Sequence, residues 1–280
     1  MRICAVTVLY NPDSSVLEYI QTYLHQVDAL YVVDNSENRS SEVTKAIRTR
    51  FPGNKVNIIQ NNSNRGVATA LNQGFQLACD EGYDWVLSMD QDSYFDTSLF
   101  FELSAPLLGH QNIGIIAASY RQKHPFQKPY STDFHKYLFV VTSGNLVNVH
   151  AWKKVGGFDE RLFIDEVDND FCIRLTLNHY LVIGSARVFL KHGLGEAFSI
   201  HPFFLSRPMP LGIHSPLRVS YAVRNRLYLT KKYFLRQPLF SFNRIYHNMM
   251  LLGFIIFFYP QKRKYMHAFF RGIVDFLSSR

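Results

Sequence analysis

The chain has 280 residues and a formal net charge of +8, with 47% hydrophobic and 15% aromatic residues. This composition excludes a disordered chain, and the length suits one large α/β domain or one domain with an appendage. The positive charge is concentrated from Leu217 onward, where twelve Lys and Arg residues accompany one acidic residue, Asp275. Nucleic acid, an anionic membrane surface or a phosphorylated substrate would each suit that sign.

The cysteines are odd in number and widely spaced, and no C-x-x-C occurs: Cys4, Cys79 and Cys172. We therefore expect small buried thiols in a reducing compartment. The chain starts directly with a strand-like run and shows no signal-peptide pattern. No apolar run reaches 18 residues, so we expect no ordinary membrane span and a cytoplasmic location.

Strand-like and helix-like segments alternate through the first third of the chain. This rhythm predicts a parallel sheet with helices on both faces. No G-x-G-x-x-G follows the first strand, so a dinucleotide fingerprint is missing. The predicted strands are residues 2–9, 30–33, 56–59 and 85–89, and the predicted helices are residues 15–27, 41–50 and 67–79.

Two carboxylates one residue apart, in Asp90-Gln91-Asp92, follow the buried strand at residues 85–89. Side chains at i and i+2 of an extended or tightly turned backbone point the same way, so both can reach one small cation. Alternatively, one binds a metal and the other a sugar hydroxyl. Ligands of open α/β sheets lie beyond the carboxyl ends of strands, where this pair stands. The structural alternative is an Asp-rich turn.

Three other strand ends carry residues suited to a nucleotide. Tyr10 could stack on a base, and Asp34 could accept a hydrogen bond from a base N–H or a ribose hydroxyl. Asn64-Arg65-Gly66 precedes a helix amino terminus, which is a ready anion site. Each of these residues could instead serve only to form an ordinary turn, but all of them fall at the same edge of the predicted sheet.

The middle third contains a dense acidic cluster, Asp165-Glu166-Val167-Asp168-Asn169-Asp170, followed by a predicted helix at residues 171–177. The helix dipole favours acidic residues in a first turn, which explains one or two of the four. Thr142-Ser143-Gly144-Asn145 interrupts a strand-like stretch at residues 139–149 and fits a hairpin turn or a ligand-binding turn. His192 follows the last predicted strand of the domain.

The basic tail has helical spacing over residues 217–234 and 239–259. Its apolar run, residues 249–258, is too short to span a bilayer and is followed by Gln261-Lys262-Arg263-Lys264. Basic bands around an apolar stretch suit a helix lying in a membrane interface. The alternatives are a helical subdomain with solvated charges, or a homodimer contact. No recognised nucleic-acid module occurs, so we expect no nucleic-acid partner.

The strand-end motifs together resemble the inverting family-2 glycosyltransferases of GT-A fold, and within them the bacterial rhamnosyltransferases of cell-surface polysaccharide synthesis. The resemblance covers about residues 1–200 and is specific as a combination only. It implies an α/β fold with a Rossmann-like, mixed but mostly parallel sheet flanked by helices, and a C-terminal helical extension. The motifs are Tyr10-Asn11-Pro12, Val33-Asp34-Asn35-Ser36, Asn64-Arg65-Gly66, Ala70-Leu71-Asn72-Gln73-Gly74 and Asp90-Gln91-Asp92.

The resemblance implies a metal-dependent enzyme that moves a sugar from a nucleoside diphosphate, L-rhamnose from dTDP-rhamnose, to a lipid-linked saccharide in O-antigen or capsule synthesis. Mg²⁺ or Mn²⁺ on the diphosphate would be held through Asp92, with His192 at the same end. The implied donor-nucleotide residues are Tyr10, Asp34, Asn64, Arg65, Gly66 and Asp90.

By the same resemblance, Asp168 stands at the catalytic-base position, because Phe171 and Arg174 match the aromatic residue and arginine that follow it in the family. Relatives often have a second acid where this chain has Val167, so that role is lost or passes to Glu166. Asp168 could instead cap the helix. The implied sugar or acceptor contacts are Ser143, Gly144, Asn145 and Glu166.

These interpretations predict a glycosyltransferase domain at residues 1–212, with a nucleotide-sugar half at 1–95 and an acceptor half at 96–212. The tail at residues 213–280 would hold the enzyme peripherally at the inner face of the cell membrane. Two other functions compete. A sugar nucleotidyltransferase needs a Gly-rich, Arg-containing loop after the first strand, and Tyr10-Asn11-Pro12-Asp13 is not one. A non-catalytic membrane-surface protein would not require the acidic cluster.

Overall fold

The computed structural model describes residues 1–37, 42–119, 133–192, 198–200, 209–211 and 214–279. The chain forms two compact units. The first consists of Met1–Phe163 and Val167–Gly193, and the second of Ile164–Glu166 and Leu194–Arg280. The first contains the large sheet, and the second contains the carboxyl-terminal helices.

The first unit alternates strands and helices along its amino-terminal part, as the apolar rhythm predicts. Its strands are β1 (Ile3–Leu9), β2 (Ala29–Asp34), β3 (Val56–Gln60), β4 (Trp85–Asp90), β5 (Ser93–Tyr94), β6 (Ile113–Ser119), β7 (Phe134–Lys136), β8 (Asn145–Asn148), β9 (Leu181–Phe189) and β10 (Lys191–His192). Its helices are α1 (Val16–Leu24), α2 (Glu42–Arg50), α3 (Val67–Asp80), α4 (Leu99–Ser104), α5 (Val149–Lys154) and α6 (Val167–Leu177).

Eight of these strands form one sheet in the order β3-β2-β1-β4-β8-β6-β9-β7, and β5 and β10 form a separate antiparallel pair. The pairs β3–β2, β2–β1, β1–β4 and β6–β9 are parallel, whereas β8 runs antiparallel to β4 and β6, and β7 runs antiparallel to β9. The prediction of a mixed, mostly parallel sheet flanked by helices is therefore confirmed.

Burial explains why these segments form strands. Every residue of β2 is buried, and β1, β4 and β6 are nearly so, as expected for parallel strands covered on both faces. Helix α3 approaches β1 closely at Gly74, where an added Cβ would lie 2.5 Å from Cγ1 of Val6. A glycine at this position lets the helix lie directly on β1, the strand that ends just before Tyr10.

The strand-like stretch at residues 139–149 is interrupted near residues 142–145, as the sequence indicated, but residues 139–141 before the interruption form no strand. Only Asn145–Asn148 forms a strand, because Gly144, at a φ of 73°, turns the chain into the sheet. Asn148 then ends the strand, since its side chain accepts a hydrogen bond from the N–H of Ala151 and caps α5. The turn at residues 142–145 joins no hairpin, because β8 pairs with β4 and β6 while β7 pairs with β9.

The second unit consists mainly of the helices α7 (Pro216–Tyr233), α8 (Pro238–Phe257) and α9 (Lys262–Ser278), with a short antiparallel pair, β11 (Phe198–Ile200) and β12 (Met209–Leu211). Its apolar core includes Val223, Ile255 and Phe269, one residue from each helix. Among the described helices, none combines the length and the apolar character that crossing a bilayer requires.

Candidate active site

The carboxyl ends of β1, β2 and β4 meet at one edge of the sheet, which we call the donor edge. Leu9 pairs with Asp34 and Val8 with Asp90, so Tyr10, Asp34 and Asp90 stand side by side on neighbouring strands. Asp34 is buried, whereas Asp90 is exposed and the Tyr10 side chain is 43% exposed. The structure therefore brings together the strand-end residues that the sequence singles out.

The turn after β2 connects three loops of the donor edge. The Oδ1 atom of Asp34 accepts a hydrogen bond from the N–H of Ser36 at 2.9 Å, and Oγ of Ser36 accepts one from the N–H of Asn11 at 2.8 Å. The side-chain amide of Asn35 donates to the carbonyl of Gly66 at 3.0 Å. The motifs at residues 10–12 and 64–66 are thus each hydrogen-bonded to the motif at residues 33–36.

A buried amide network supports this arrangement and was not anticipated from the sequence. Nδ2 of Asn61 donates to Oδ1 of Asn35 at 2.8 Å and to Oε1 of Gln73 at 2.7 Å. Gln73 returns a bond to Oδ1 of Asn61 at 2.9 Å. Asn61 directly follows β3 at the same edge, and that position was the signal that could have identified it.

The turn at Asn64-Arg65-Gly66 leads into α3. Oδ1 of Asn64 accepts a hydrogen bond from the N–H of Gly66 at 3.0 Å. Gly66 has a φ of 84°, and an added Cβ would lie 2.7 Å from both Cδ2 and the carbonyl oxygen of Phe163. Arg65 is exposed. A glycine is required here by both conformation and space, and it begins a fourteen-residue helix whose amino terminus can attract an anion.

The small-residue turn predicted to border the sugar lies beside Asp90. Oγ of Ser143 accepts a hydrogen bond from the N–H of Asp90 at 2.9 Å, and the N–H of Gly144 donates to the carbonyl of Ser88 at 2.8 Å. Asn145 pairs with Ser88 across the β4–β8 ladder and is buried. The turn therefore holds the strand end that carries the two carboxylates, whether or not it also contacts a sugar.

The predicted metal ligands are Asp92, assisted by Asp90, and His192. Asp92 is partly exposed. His192 pairs through its backbone with Ser93, the residue after Asp92, while its side chain lies outside the described part of the structure. This backbone pairing brings residue 192 close to Asp90-Gln91-Asp92 in the fold.

The donor set fits a hard divalent cation. Within the residues the structure describes, no group of three or more His, Cys, Asp or Glu side chains converges on one point. Mg²⁺ is commonly held by one or two carboxylates together with substrate phosphates and waters. Two carboxylates at an open sheet edge match that mode of coordination, and Asp92 and Asp90 are the residues that would hold the ion.

The predicted base, Asp168, is the second residue of α6, which begins at Val167. Oδ1 of Asp168 accepts a hydrogen bond from the N–H of Asn169 at 2.9 Å, and the residue is partly exposed. Asp168 thus lies in the first turn of α6 with its side chain directed to the backbone of that turn.

Asp170, a competitor for the role of base, has a structural partner. It is fully buried, and its Oδ2 accepts a hydrogen bond from Nε of Arg174 at 2.7 Å. Arg174 also donates to the carbonyls of Val155 and Gly157 at 2.7 and 2.6 Å. This pair fastens the Gly-rich turn at residues 156–157 to α6.

The other two acids of the cluster belong to the second unit and pair with arginines. Asp165 pairs with Arg218 at 2.9 Å, and Glu166 pairs with Arg226 at 3.3 Å and Arg244 at 2.9 Å. Sequence reasoning treated the tail arginines as solvated or membrane-facing charges, which is wrong for these three. Their signal was the match between an acidic cluster and the arginines of two predicted helices, Arg218 and Arg226 on α7 and Arg244 on α8.

The fold is that of the glycosyltransferases of GT-A type. The sequence profile of "Glycosyl transferase family 2" matches residues 4–168, more than half of the chain. The protein therefore belongs to glycosyltransferase family 2, as the motifs predicted. A curated relative, the dTDP-rhamnosyl transferase RfbF of Shigella flexneri, is 28% identical over 82% of this chain and 80% of its own length.

Solved structures support the fold. TarS residues 1–349 from S. aureus, in complex with UDP-GlcNAc, is 14% identical with a TM-score of 0.63 and is matched over 98% of this chain and 82% of that one. The chain spans 49% of a longer TarS structure. The mannosyltransferase PcManGT from Pyrobaculum calidifontis, in complex with GDP-Man and Mn²⁺, is 12% identical with a TM-score of 0.57, over 100% of this chain and 88% of that one.

Proposed function

We propose that the protein transfers L-rhamnose from dTDP-rhamnose to a lipid-linked saccharide, with inversion at the anomeric carbon. The observation that carries the proposal is the donor edge, where an exposed aromatic ring, a buried carboxylate and a carboxylate pair stand on adjacent strands. The choice of donor is supported by the relative named a dTDP-rhamnosyl transferase, which matches most of the chain.

We assign separate parts to the residues of the donor edge. The exposed ring of Tyr10 offers a stacking surface for the base, and Asp34 an acceptor for a base N–H or a ribose hydroxyl. The amino terminus of α3, at Gly66, and the exposed guanidinium of Arg65 favour the negative charge of the diphosphate. Asp90 completes the nucleotide-binding set beside the turn at Ser143.

Asp92 would hold Mg²⁺ or Mn²⁺, assisted by Asp90 and with His192 at the same end. When bound, such a cation neutralises the charge that develops on the departing diphosphate. The two carboxylates lie at the end of β4, which is hydrogen-bonded on both sides by β1 and β8. The site is thus built on rigid strands, as precise positioning requires.

Asp168 would take the proton from the acceptor hydroxyl as its oxygen attacks the anomeric carbon from the face opposite the diphosphate. Its support is its place in the first turn of α6, its partial exposure, and the family pattern completed by Phe171 and Arg174. The competing acids have other partners: Asp170 is buried against Arg174, and Glu166 is paired with two arginines.

A panel of sugar nucleotides tests the donor. The protein should release dTDP from dTDP-rhamnose, and faster than it releases nucleotide from UDP-glucose, UDP-GlcNAc or GDP-mannose. Preference for another donor would overturn the rhamnose assignment but leave the transferase standing. Formation of a sugar nucleotide from a sugar phosphate and a nucleoside triphosphate would instead identify a nucleotidyltransferase.

The tail is proposed to bind the anionic inner surface of the cell membrane, where O-antigen or capsule acceptors are assembled. Helix α8 carries an exposed apolar stripe at alternating spacings of three and four residues: Leu239, Phe242, Tyr246 and Met249. Lys262, Arg263 and Lys264 follow the helix and are exposed. Each basic residue near an anionic surface contributes about 1 kcal/mol, which adds to burial of the stripe.

Flotation with vesicles tests this location. The protein should float with phosphatidylglycerol vesicles but not with phosphatidylcholine vesicles. Leu239→Glu/Met249→Glu and Lys262→Glu/Lys264→Glu should each weaken flotation. If the stripe instead joins two copies, Leu239→Glu/Met249→Glu will halve the mass in solution without changing flotation, and the membrane proposal will be wrong.

A further inference from the structure

The turn that leads into α6 has an unusual backbone. Asp165 and Glu166 have φ angles of 64° and 66°, in the left-handed region that residues with a Cβ disfavour. Among the residues described, they form the one adjacent pair of non-glycine residues with positive φ. Asp tolerates this region better than Glu does. Such conformations persist where the surroundings fix them, and they cluster at functional sites.

Two arginines fix the side chain of Glu166. Nη1 of Arg244 donates to both carboxylate oxygens at 2.9 Å, and Nε of Arg226 reaches Oε1 at 3.3 Å. The Glu166 side chain is only 6% exposed, and those of Arg226 and Arg244 are 22% and 14% exposed. A buried carboxylate held by two guanidinium groups is not a chance surface contact, because each group had to lose its water.

Helix α7 fixes the backbone of the same turn. Nδ2 of Asn225 donates to the carbonyls of Ile164 and Asp165 at 2.7 and 3.1 Å, and Asn225 is almost fully buried. Arg218 binds the carboxylate of Asp165 through Nε and Nη2. Arg218, Asn225 and Arg226 are seven and eight residues apart, so one face of α7 is dedicated to this turn.

We propose that Glu166 is a positioning residue for the transfer reaction. Its ion pairs with Arg226 and Arg244 hold the left-handed turn, and the turn sets the direction in which the chain enters α6 and presents Asp168, two residues later. The inference rests on the proposed role of Asp168 as the base. Glu166 then contacts neither sugar nor acceptor, because its carboxylate is engaged by the arginines.

The size of the effect follows from the demands of proton transfer. A base must lie within hydrogen-bonding distance of the hydroxyl that it deprotonates. A misplacement of about 1 Å costs roughly 100-fold in rate, whereas donor binding depends on the separate donor edge. Loosening the turn should therefore lower kcat and leave nucleotide affinity unchanged.

The test compares Glu166→Gln, Arg244→Ala and the double variant. Turnover is measured as dTDP release from dTDP-rhamnose, and affinity as calorimetric binding of dTDP. Each single variant should lose about 10- to 100-fold in kcat with dTDP affinity unchanged. The double variant should be no slower than the worse single variant, because both changes remove the same interaction.

Matched controls separate positioning from general damage. Arg271→Ala removes an arginine–carboxylate pair on α9, Arg271 with Asp275 at 3.7 Å, and should keep wild-type turnover. Arg244→Lys retains one cationic nitrogen that can contact both oxygens of Glu166 and should recover most of the rate. Near-ultraviolet circular dichroism gives the folded fraction, to which every rate is normalised.

Two patterns would overturn the inference. In the first, Glu166→Gln and Arg244→Ala keep wild-type turnover while Asp168→Asn loses it. In the second, dTDP affinity falls in parallel with kcat, which is the mark of a merely structural role. Retained turnover in Asp168→Asn would overturn the proposed base itself, and this inference with it, so the two failures are distinguishable.

Discussion

The side-chain amide of Gln91 makes two hydrogen bonds to the backbone of Tyr10. Its Oε1 accepts from the Tyr10 N–H at 2.8 Å, and its Nε2 donates to the Tyr10 carbonyl at 3.3 Å. The middle residue of Asp90-Gln91-Asp92 therefore ties the end of β4 to the residue after β1. The Tyr10 ring is left exposed at the donor edge.

Replacing Gln91 by Ala should weaken dTDP binding by about 10-fold, because each hydrogen bond contributes roughly 1 kcal/mol and the Tyr10 loop loses both. The effect on kcat should be smaller, since the base is elsewhere. Calorimetric titration with dTDP measures it. Gln76→Ala is the control, because Gln76 bonds to Asp80 within α3. Unchanged affinity in Gln91→Ala would show that the Tyr10 loop needs no such support.

Asp92→Asn should abolish turnover and remove the enhancement of dTDP binding by Mg²⁺ or Mn²⁺. The amide lacks the negative charge that a hard cation prefers. Asp96→Asn is the matched control, since Asp96 is an exposed residue four positions on that pairs with Lys191 at 3.6 Å. Activity is measured with and without EDTA. Full activity in EDTA would contradict the metal site whatever the variants show.

Asp168→Asn and Asp170→Asn should fail in opposite ways. The first should lose roughly 10²–10⁴-fold in turnover, because it removes the proton acceptor, and should keep dTDP affinity and thermal stability. The second should lose about 3–5 kcal/mol of stability, because Arg174 is left without its buried partner charge. Thermal unfolding and dTDP release distinguish them. Near-normal turnover in Asp168→Asn would make that residue structural.

Gly66→Ala should destabilise the protein more than Gly82→Ala does. Both glycines have positive φ, at 84° and 74°, so each alanine bears a conformational cost of about 1–2 kcal/mol. Around Gly82 the nearest atom lies 3.9 Å from the added Cβ, whereas at Gly66 the Phe163 backbone lies 2.7 Å away. Overpacking adds roughly 1–3 kcal/mol. Equal urea midpoints would refute the steric argument.

The cysteines should report on folding through their reactivity. Burial raises the pKa of the Cys172 thiol to about 12, and burial also raises the pKa of Cys4, whereas Cys79 is partly exposed. At about pH 8, iodoacetamide should modify Cys79 first, and Cys79→Ser should remove native-state labelling. Mass spectrometry of peptides reads the order. Equally fast labelling of Cys172 would contradict its burial.

The raised pKa of the Cys172 thiol predicts how the free energy of unfolding depends on pH. In the unfolded chain the Cys172 pKa returns towards its ordinary value of 9.0, so the unfolded state loses the proton first as pH rises. The contribution of the buried neutral thiol to stability is complete below pH 9.0 and is lost progressively as the pH rises from there towards about 12. Cys172→Ala should therefore flatten the alkaline fall in unfolding midpoint relative to the unsubstituted protein.

Sequence patterns predicted the parts of the molecule that depend on local order. Buried apolar runs between helical stretches specify parallel strands, so the ends of β1, β2 and β4 were placed at one edge correctly. The turn at residues 142–145 was predicted, but the absence of a strand at residues 139–141 and the antiparallel pairing of β8 with β4, far away in the chain, were not. The alternation of residue types within the segment does not indicate which strand it pairs with.

The arginine pairs of Asp165 and Glu166 escaped prediction for a related reason. They join residues 53 to 78 positions apart, and each arginine alone fits a solvated or membrane-facing helix equally well. The backbone strain at the same two residues was also invisible, since neither is a glycine or an asparagine. Long-range ion pairs of this kind can be identified only once the packing of the helices is known.

The one-sided arrangement of the sheet leaves its other end available for attachment. The residues assigned to the donor lie in the loops that follow β1, β2, β3 and β4, whereas the turn at Gly53-Asn54 joins α2 to the start of β3. Asn54 is exposed, and an added Cβ at Gly53 would meet nothing within 4 Å. At about 3.3 Å per residue, the length of β3 separates this turn from the donor edge. In the Cys79→Ser background, which removes the native reactive thiol, Asn54→Cys could therefore couple the enzyme to a solid support with its donor edge facing the solution.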